Sequence, residues 1–158
     1  MQTLVTTDST PHSAARRANP QAATPFRADH QFIAMLDSFR RSGGLLQACE
    51  VVAMFLARGE SDITALAQWI LQRRVISVEW QSRIWLPLFQ FNRDDMSPRS
   101  GLAPVLEELN PAYPHWALAN WFSRPHPRLH EHTPADTLGI DATAVLKAAH
   151  FDRLRAAG

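Results

Sequence analysis

Three histidines that lie close together in the chain are the residues best suited to metal chemistry. His126, His130 and His132 have the spacing His-x-x-x-His-x-His, and three imidazoles that leave one position open are ligands of catalytic zinc ions. The carboxylates that zinc sites place behind their histidines are represented only by Glu131 and Asp136. A polar, histidine-rich loop explains the same residues, and it could also respond to pH because imidazole titrates near neutrality. We expect no bound metal and no other cofactor.

The other candidate catalytic groups have simpler structural explanations. Cys49 falls on the apolar stripe of a predicted helix with no histidine near it in the sequence, which favours a buried packing cysteine over a nucleophile. The acidic pairs at residues 94–95 and 107–108 fit a connector and a solvated helix face. The sequence contains neither a glycine-rich phosphate loop nor a nucleophile elbow. We therefore predict a protein that is not an enzyme.

The composition favours a compact protein in a reducing compartment. The chain has 158 residues, of which 46% are apolar, and its formal net charge is +1. This near neutrality provides no strong attraction to nucleic acid or to a membrane surface. The single cysteine excludes an internal disulfide. No apolar run of about eighteen residues is present, and the N-terminus lacks the apolar core of a signal peptide, so we expect a soluble cytoplasmic protein without membrane contact.

Hydrophobic periodicity divides the chain into a tail and two halves. Residues 1–25 are rich in Thr, Ser, Ala, Gln and Pro and have no hydrophobic period, which is typical of a disordered tail. Residues 26–91 are expected to form a winged helix-turn-helix-like domain with one β-hairpin, and residues 92–158 a small helical bundle. The predicted fold class is therefore mainly α.

Three helices are predicted in the first half, over residues 26–41, over residues 45–58 and after a cap at Ser61. In the first helix, the apolar residues at helical spacing are Phe32, Met35, Leu36 and Phe39. In the second, the predicted buried stripe consists of Leu45, Cys49, Val52, Ala53 and Leu56. In the third, the buried residues are Ile63, Leu66, Ala67, Ile70 and Leu71, which leaves Trp69 for a contact with another domain or chain.

A short helix after a tight turn, followed by a hairpin, is the outline of a winged helix-turn-helix. Residues 75–80 and 84–91 are predicted to be the strands of that hairpin, and Pro87 should place the second strand at an edge or in a bulge. The side chains expected to contact DNA bases or phosphates are Thr64, Gln68, Gln72, Arg73, Arg74 and Arg83. Between residues 40 and 83, six arginines stand against four acidic residues, a small excess for a DNA-binding domain. A helical scaffold with a solvated face is the alternative.

The second half is predicted to consist of further helices. A helix over residues 98–109 places four apolar side chains inward, namely Leu102, Val105, Leu106 and Leu109. The next helix, residues 116–122, carries Trp116 and Trp121, which are five residues apart and therefore point in different directions. One of them is expected in the core and the other at a partner. Asp141 is the predicted cap of the last helix, over residues 142–155.

A loop held between two helices is predicted between the helix over residues 116–122 and a helix that starts at Thr133. Pro125 and Pro127 cannot continue a helix, so the helix that carries Trp121 must end near Arg124. Thr133 followed by Pro134 is a typical helix start, with an N-cap hydroxyl and a proline at the first helical position. A loop fixed between two helices is more often a recognition element than a catalytic one.

An ordered set of motifs in residues 85–138 resembles one known family. The motifs are Trp-Leu-Pro-Leu-Phe-Gln-Phe at 85–91, Leu-Ala-Pro-Val-Leu at 102–106, Trp at 116, Trp-Phe at 121–122, Arg-Pro-His-Pro-Arg-Leu at 124–129 and Thr-Pro-Ala-Asp-Thr-Leu at 133–138. This order is similar to the Xre/MbcA/ParS-like bacterial antitoxins. Their toxin-binding domain carries a tryptophan-containing helix, a Pro-Asn-x-x-Leu loop and a Thr-Pro-x-(Asp/Glu)-x-Leu segment.

The resemblance implies a helical, dimerising protein that covers a toxin with its loop and C-terminal end. In the best-known systems the partner is a RES-domain toxin that consumes NAD, and the pair represses its own operon. The residues that would contact the toxin are Trp121, Arg124, Pro125, His126, Arg128, Leu129, His130 and Thr133. His126 replaces the usual asparagine, and the segment 130–132 replaces small residues, so the loop could bind a different toxin. The alternative is a solitary DNA-binding regulator without a toxin partner.

Overall fold

The computed structural model describes residues 25–59 and 63–158, which form a mainly helical structure with one small antiparallel sheet. The elements in chain order are α1 (Pro25–Phe39), β1 (Leu45–Gln47), α2 (Ala48–Ala57), α3 (Ile63–Leu71), β2 (Val78–Trp80), β3 (Arg83–Pro87), α4 (Leu102–Leu109), α5 (His115–Ser123), α6 (Pro134–Thr137) and α7 (Ala142–Ala157). The predicted mainly helical class is confirmed. Both the predicted tail and the predicted cap Ser61 lie outside the described residues. The exception is Pro25, the last residue of the predicted tail, which begins α1.

The sheet contains a strand that sequence analysis did not predict. β3 lies in the centre and pairs antiparallel with both β1 and β2. Residues 45–47, predicted as the start of a helix, are extended because Leu45 pairs with Pro87 and Leu46 pairs with Leu86. The prediction that Pro87 places its strand at an edge is therefore wrong. Pro87 is the last residue of the central strand, and a 3-10 turn follows it directly.

The late start of α2 changes which side chains face the core. Gln47 is its N-cap, and the Gln47 N–H donates to Glu50 Oε2 at 2.8 Å in a capping box. Val51 and Phe55 are the buried residues of this helix. Cys49 is exposed instead of buried, and 53% of Leu56 is exposed. The predicted stripe was wrong because it continued the helical period through residues that belong to β1.

The orientation of α3 also differs from the prediction. Leu66 is its buried residue, and the Trp69 ring packs against Phe55 with a centroid distance of 6.0 Å. Leu71, predicted to be buried, is 83% exposed, and Ile63 is 42% exposed. Trp69 therefore belongs to the inner face of α3, and the outer face mixes apolar and polar side chains.

Two hydrophobic clusters form the core. The second of them joins α2, α3 and β3 with the segment after β3, through Val51, Phe55, Leu66, Val75, Leu86, Phe91 and Met96. The first and larger cluster packs α1 against α4, α5 and α7. All four residues predicted to face inward on α4 are buried, and on α1 the buried residues are Phe32, Met35 and Phe39. The first cluster thus contains residues from both sides of the polar connector at 92–98.

A buried glutamine joins the segment before β2 to the turn after β3. Gln90 is fully buried, and its side-chain amide bonds both backbone groups of Ile76. The Ile76 N–H donates to Gln90 Oε1 at 2.6 Å, and Gln90 Nε2 donates to the Ile76 carbonyl at 2.9 Å. Both polar ends of the amide are therefore satisfied inside the protein.

None of the described helices combines the length and apolar character needed to cross a membrane.

Candidate functional site

The loop between α5 and α6, residues 124–133, folds back on itself. α5 ends where Arg124 becomes extended, with φ −101° and ψ 145°. His130 and Glu131 adopt left-handed backbone angles, with φ of 54° and 62°. Two backbone hydrogen bonds close the loop, because the His126 N–H donates to the His132 carbonyl at 3.0 Å and the Glu131 N–H donates to the His126 carbonyl at 3.2 Å. Loop 124–133 is therefore an ordered turn with its own hydrogen bonds.

A carboxylate on α7 holds the base of this loop. Asp152 Oδ2 accepts a hydrogen bond from Trp121 Nε1 at 2.8 Å and lies 3.0 Å from His126 Nε2. His126 Nδ1 accepts the backbone N–H of Arg128 at 3.1 Å. This network assigns the proton of the neutral imidazole to Nε2, which donates it to Asp152. The three side chains connect α5, the loop and α7 where Trp121 and His126 are each only 9% exposed.

Asp152 is the residue of this site that sequence analysis missed. It is 26 positions from His126, so no local sequence pattern links the two residues. The available signal was its place on α7, one turn beyond the buried Ala148 and Ala149, where an acidic side chain must find a partner. Its charge also acts on Tyr113, whose pKa is raised above the ordinary 10.0 by burial and, to a smaller extent, by Asp152.

The outer surface of loop 124–133 is formed by part of the predicted partner-binding set. The exposed members are Arg124, Pro125, Arg128 and His130. The Arg128 guanidinium lies 3.5 Å from the centre of the Phe151 ring on α7, which is a cation–π contact.

The remaining members of that set act from inside the protein. Trp121, His126 and Leu129 are buried, so they position the loop and do not form its surface. Thr133 is half-buried and caps α6 as predicted, because its Oγ1 accepts the Asp136 N–H at 3.1 Å. Asp141 caps α7 in the same way, since Asp141 Oδ1 accepts the Ala144 N–H at 2.9 Å. Both predicted N-caps are confirmed.

Most of the predicted DNA-binding residues lie on the exposed face of α3, directly after that helix, or at the hairpin. The exposed members are Thr64, Gln68, Gln72, Arg74 and Arg83. Arg83 Nη1 donates to Gln47 Oε1 at 2.7 Å, so the tip of the hairpin lies beside the start of α2.

Arg73 has a structural role inside the protein. Its Nη2 donates to the Tyr113 carbonyl at 2.6 Å and its Nη1 to the Asn110 carbonyl at 3.3 Å. Asn110 Nδ2 returns a hydrogen bond to the Arg73 carbonyl at 3.0 Å. Arg73 therefore joins the end of α3 to the segment between α4 and α5, and both terminal nitrogens of its guanidinium donate to backbone carbonyls.

The three histidines considered for metal binding do not converge. His126 is turned inward to Asp152, whereas His130 and His132 are exposed. Within residues 25–59 and 63–158, no group of three or more histidine, cysteine or acidic side chains is arranged to hold a metal ion.

One member of each acidic pair has a structural partner. Glu108 receives a hydrogen bond from Arg153 Nε and lies 3.3 Å from His150 Nδ1. The Arg153 guanidinium holds the pKa of Glu108 below its ordinary 4.5. Asp95 Oδ1 accepts the backbone N–H and the hydroxyl of Ser97 at 2.9 and 2.7 Å, which lowers the pKa of Asp95. These carboxylates stabilise local structure.

Comparisons of the chain with models of protein families, with curated proteins and with solved structures gave no match.

Proposed function

We propose that this protein is an antitoxin-like protein that binds a protein toxin and sterically blocks its active site. The observation that carries the proposal is the ordered loop 124–133, which presents Arg124, Arg128 and His130 to solvent above an internal support formed by Asp152 and His126. A loop that is already ordered loses little conformational entropy on binding. Arg124 and Arg128 are cationic, and Glu131 is the exposed acidic side chain of the same loop, so the two arginines complement acidic groups on a partner surface.

A RES-type enzyme that consumes NAD is the proposed class of toxin. This class comes from the resemblance of residues 85–138 to the Xre/MbcA/ParS-like antitoxins, whose best-known partner is such an enzyme. The exposed arginines of loop 124–133 would pair with acidic groups on the toxin surface around its active site, while Pro125 supplies rigid apolar contact. Trp121 contributes indirectly, because its indole fixes Asp152 and through it the loop.

The test is co-expression of this chain with the protein encoded beside its gene, followed by co-purification and an assay of NAD consumption. We expect the wild-type chain to form a stoichiometric complex and to suppress NAD consumption. The paired substitution Arg124→Glu with His130→Asn should release the activity, and asparagine is chosen because it tolerates the left-handed backbone at His130. Arg27→Ala, on the exposed side of α1, is the matched control and should behave as wild type.

If no complex forms and the chain has no effect on NAD consumption, the toxin proposal is refuted. Suppression that is unchanged by the loop substitutions would place the contact elsewhere on the protein. The thermal unfolding midpoint of each variant is measured alongside, so that a loss of binding is separated from a loss of structure.

A second candidate function, a DNA-binding regulator with or without a toxin, is favoured by the first half of the fold. The order β1, α2, α3, β2, β3 and the sheet order β1-β3-β2 support a winged helix-turn-helix-like arrangement, in which α3 is the recognition helix and the β2–β3 hairpin is the wing. Gln68, Gln72 and Arg74 are exposed on or beside α3, and Arg83 is exposed at the hairpin. A homodimer would present two such helices to the two halves of an operator.

Binding to the promoter DNA of the chain's own gene distinguishes this function. The affinity should fall steeply as salt concentration rises, because arginine contacts to phosphates release counterions. Arg83→Gln should reduce the slope of log affinity against log salt concentration by about one unit. Arg40→Gln should leave this slope unchanged, because Arg40 directly follows α1, before α2 in the chain, and pairs with Asp37. Equal affinity for unrelated DNA would argue against an operator function.

A further inference from the structure

A cleft rich in arginine lies between α2 and α6, away from the surface of loop 124–133. Its volume is about 460 Å³, which falls within the range of pockets that hold small molecules. The walls are the turn after α1, the end of α2, the segment 88–99 and α6. Four arginines line this cleft, namely Arg41, Arg58, Arg93 and Arg99. We refer to it below as the arginine cleft.

Among the described residues, the arginines of the cleft form no ion pair. Within residues 25–59 and 63–158, the ion pairs of arginine are those of Arg40 with Asp37 and of Arg153 with Glu108, neither of which belongs to the cleft. The one acidic residue in its lining, Asp136, receives a hydrogen bond from the Thr133 hydroxyl at 2.8 Å as part of the cap of α6. Guanidinium groups stay charged at any physiological pH. The cleft therefore concentrates positive charge in a protein whose formal net charge is only +1.

Two of the arginines are held in place through part of their guanidinium groups. Arg58 Nε donates to the Arg93 carbonyl at 2.8 Å, and Arg58 Nη1 donates to the Met54 carbonyl at 3.2 Å. Arg99 Nε donates to the Phe89 carbonyl at 2.7 Å. These bonds use backbone carbonyls and leave the net charge in place. Positioned guanidinium groups lose less freedom when they bind an anion.

A glycine makes room for one of these groups. A Cβ added to Gly139 would lie 2.8 Å from Arg99 Nη1, so the absence of a side chain there lets the guanidinium pack against the backbone after α6. The cleft is also bordered by apolar side chains, Met54, Leu88, Phe89, Phe91 and Met96. It thus combines arginines that have no ion pair within residues 25–59 and 63–158 with an apolar wall that could accept a flat or hydrophobic group.

We infer that the arginine cleft binds a small phosphorylated molecule whose phosphate is joined to an apolar or aromatic body. Arginine binds phosphate oxygens with two parallel N–H donors, and these charge-assisted hydrogen bonds are the strong ones. Burying the anion among the four guanidinium groups relieves their mutual repulsion, and the apolar wall accounts for the organic part of the ligand. The inference does not depend on toxin or DNA binding, since neither loop 124–133 nor α3 contributes a residue to the lining of the cleft.

The experiment measures thermal unfolding of the full chain with adenosine diphosphate, with pyrophosphate, with adenosine and with sodium chloride at matched ionic strength. A ligand at about one hundred times its dissociation constant should raise the midpoint by about 5–10 °C in a protein of this size. We expect this shift with adenosine diphosphate, a smaller one with pyrophosphate, and none with adenosine or salt. Titration calorimetry of adenosine diphosphate then gives the affinity directly.

Variants of the arginines test whether the cleft is the site that binds adenosine diphosphate. Arg41→Gln and Arg58→Gln should each weaken adenosine diphosphate at least tenfold, and Arg40→Gln, which changes the neighbouring arginine outside the cleft, should leave the affinity unchanged. Arg41 forms no ion pair among the described residues, so its substitution should preserve the fold. The inference is overturned if neither phosphate compound shifts the midpoint more than salt does, if Arg40→Gln weakens binding as much as Arg41→Gln, or if only DNA binds at these arginines.

Discussion

Removal of the Asp152 carboxylate should destabilise the protein and release loop 124–133. Asp152 Oδ2 accepts hydrogen bonds from Trp121 Nε1 and His126 Nε2, at 2.8 and 3.0 Å. Hydrogen bonds to a charged group contribute about 1.5–3 kcal/mol each. The Asp152 side chain is 19% exposed, so water can replace part of the loss, and we expect Asp152→Ala to lower the free energy of unfolding by about 3 kcal/mol. That corresponds to about 6–12 °C in the unfolding midpoint.

The measurement is urea unfolding followed by circular dichroism, because tryptophan fluorescence would change with the environment of Trp121 itself. Asp152→Asn keeps one acceptor oxygen and should lose less than half as much. Asp37→Asn, at an exposed carboxylate paired with Arg40, is the control and should change stability by less than about 0.5 kcal/mol. Amide hydrogen exchange in loop 124–133 should accelerate in Asp152→Ala. A loss below about 1 kcal/mol, or exchange as slow as in the wild type, would refute the idea that Asp152 supports the loop.

Two further substitutions test other polar contacts by urea unfolding. Gln90→Leu keeps the buried volume but leaves the N–H and carbonyl of Ile76 without partners, and we expect a loss of about 2–5 kcal/mol; a loss below about 1 kcal/mol would mean that water reaches Ile76. Glu108→Gln tests the contact with Arg153, which lowers the pKa of Glu108 below 4.5. A lowered carboxyl pKa stabilises the folded state above pH 4.5 and loses this effect as pH falls through the folded-state value. The stability difference between wild type and Glu108→Gln should therefore be larger at pH 7 than at pH 3, and a difference independent of pH would contradict the assignment.

Sequence analysis succeeded where the determinants are local. The four inward residues of α4 and the caps at Thr133 and Asp141 depend on helical spacing and on groups three positions apart. The prolines after α5 ended that helix close to the predicted residue. Each of these features can be recognised within a few residues of sequence.

It failed where the determinants are distant in the chain. Residues 45–47 have the apolar character of a helix start, but they are extended because their partners at 85–87 complete a sheet. Because these residues belong to β1, α2 begins only at Ala48 and turns a different face to the core than the predicted helix, which leaves Cys49 exposed. Asp152 could not be assigned to the loop site because its partners are Trp121 and His126, 31 and 26 positions away. The arginine cleft escaped notice for the same reason, since its cations come from three separate segments.

The composition of the first hydrophobic cluster has a consequence for the protein as it leaves the ribosome. α1 is synthesised before the other described elements, but the side chains that cover Phe32, Met35 and Phe39 include residues of α4, α5 and α7. At roughly 5–20 residues per second, the ribosome needs on the order of 4–16 s to pass from α1 to the end of α5. A helix of 15 residues is marginal by itself in water, and during that interval α1 can pack only against residues up to the segment after β3, such as Trp80 beside Phe32 and Phe89 beside Phe39. The second cluster, whose residues span 51–96, can form earlier, so α1 completes its packing after elements that follow it in the chain.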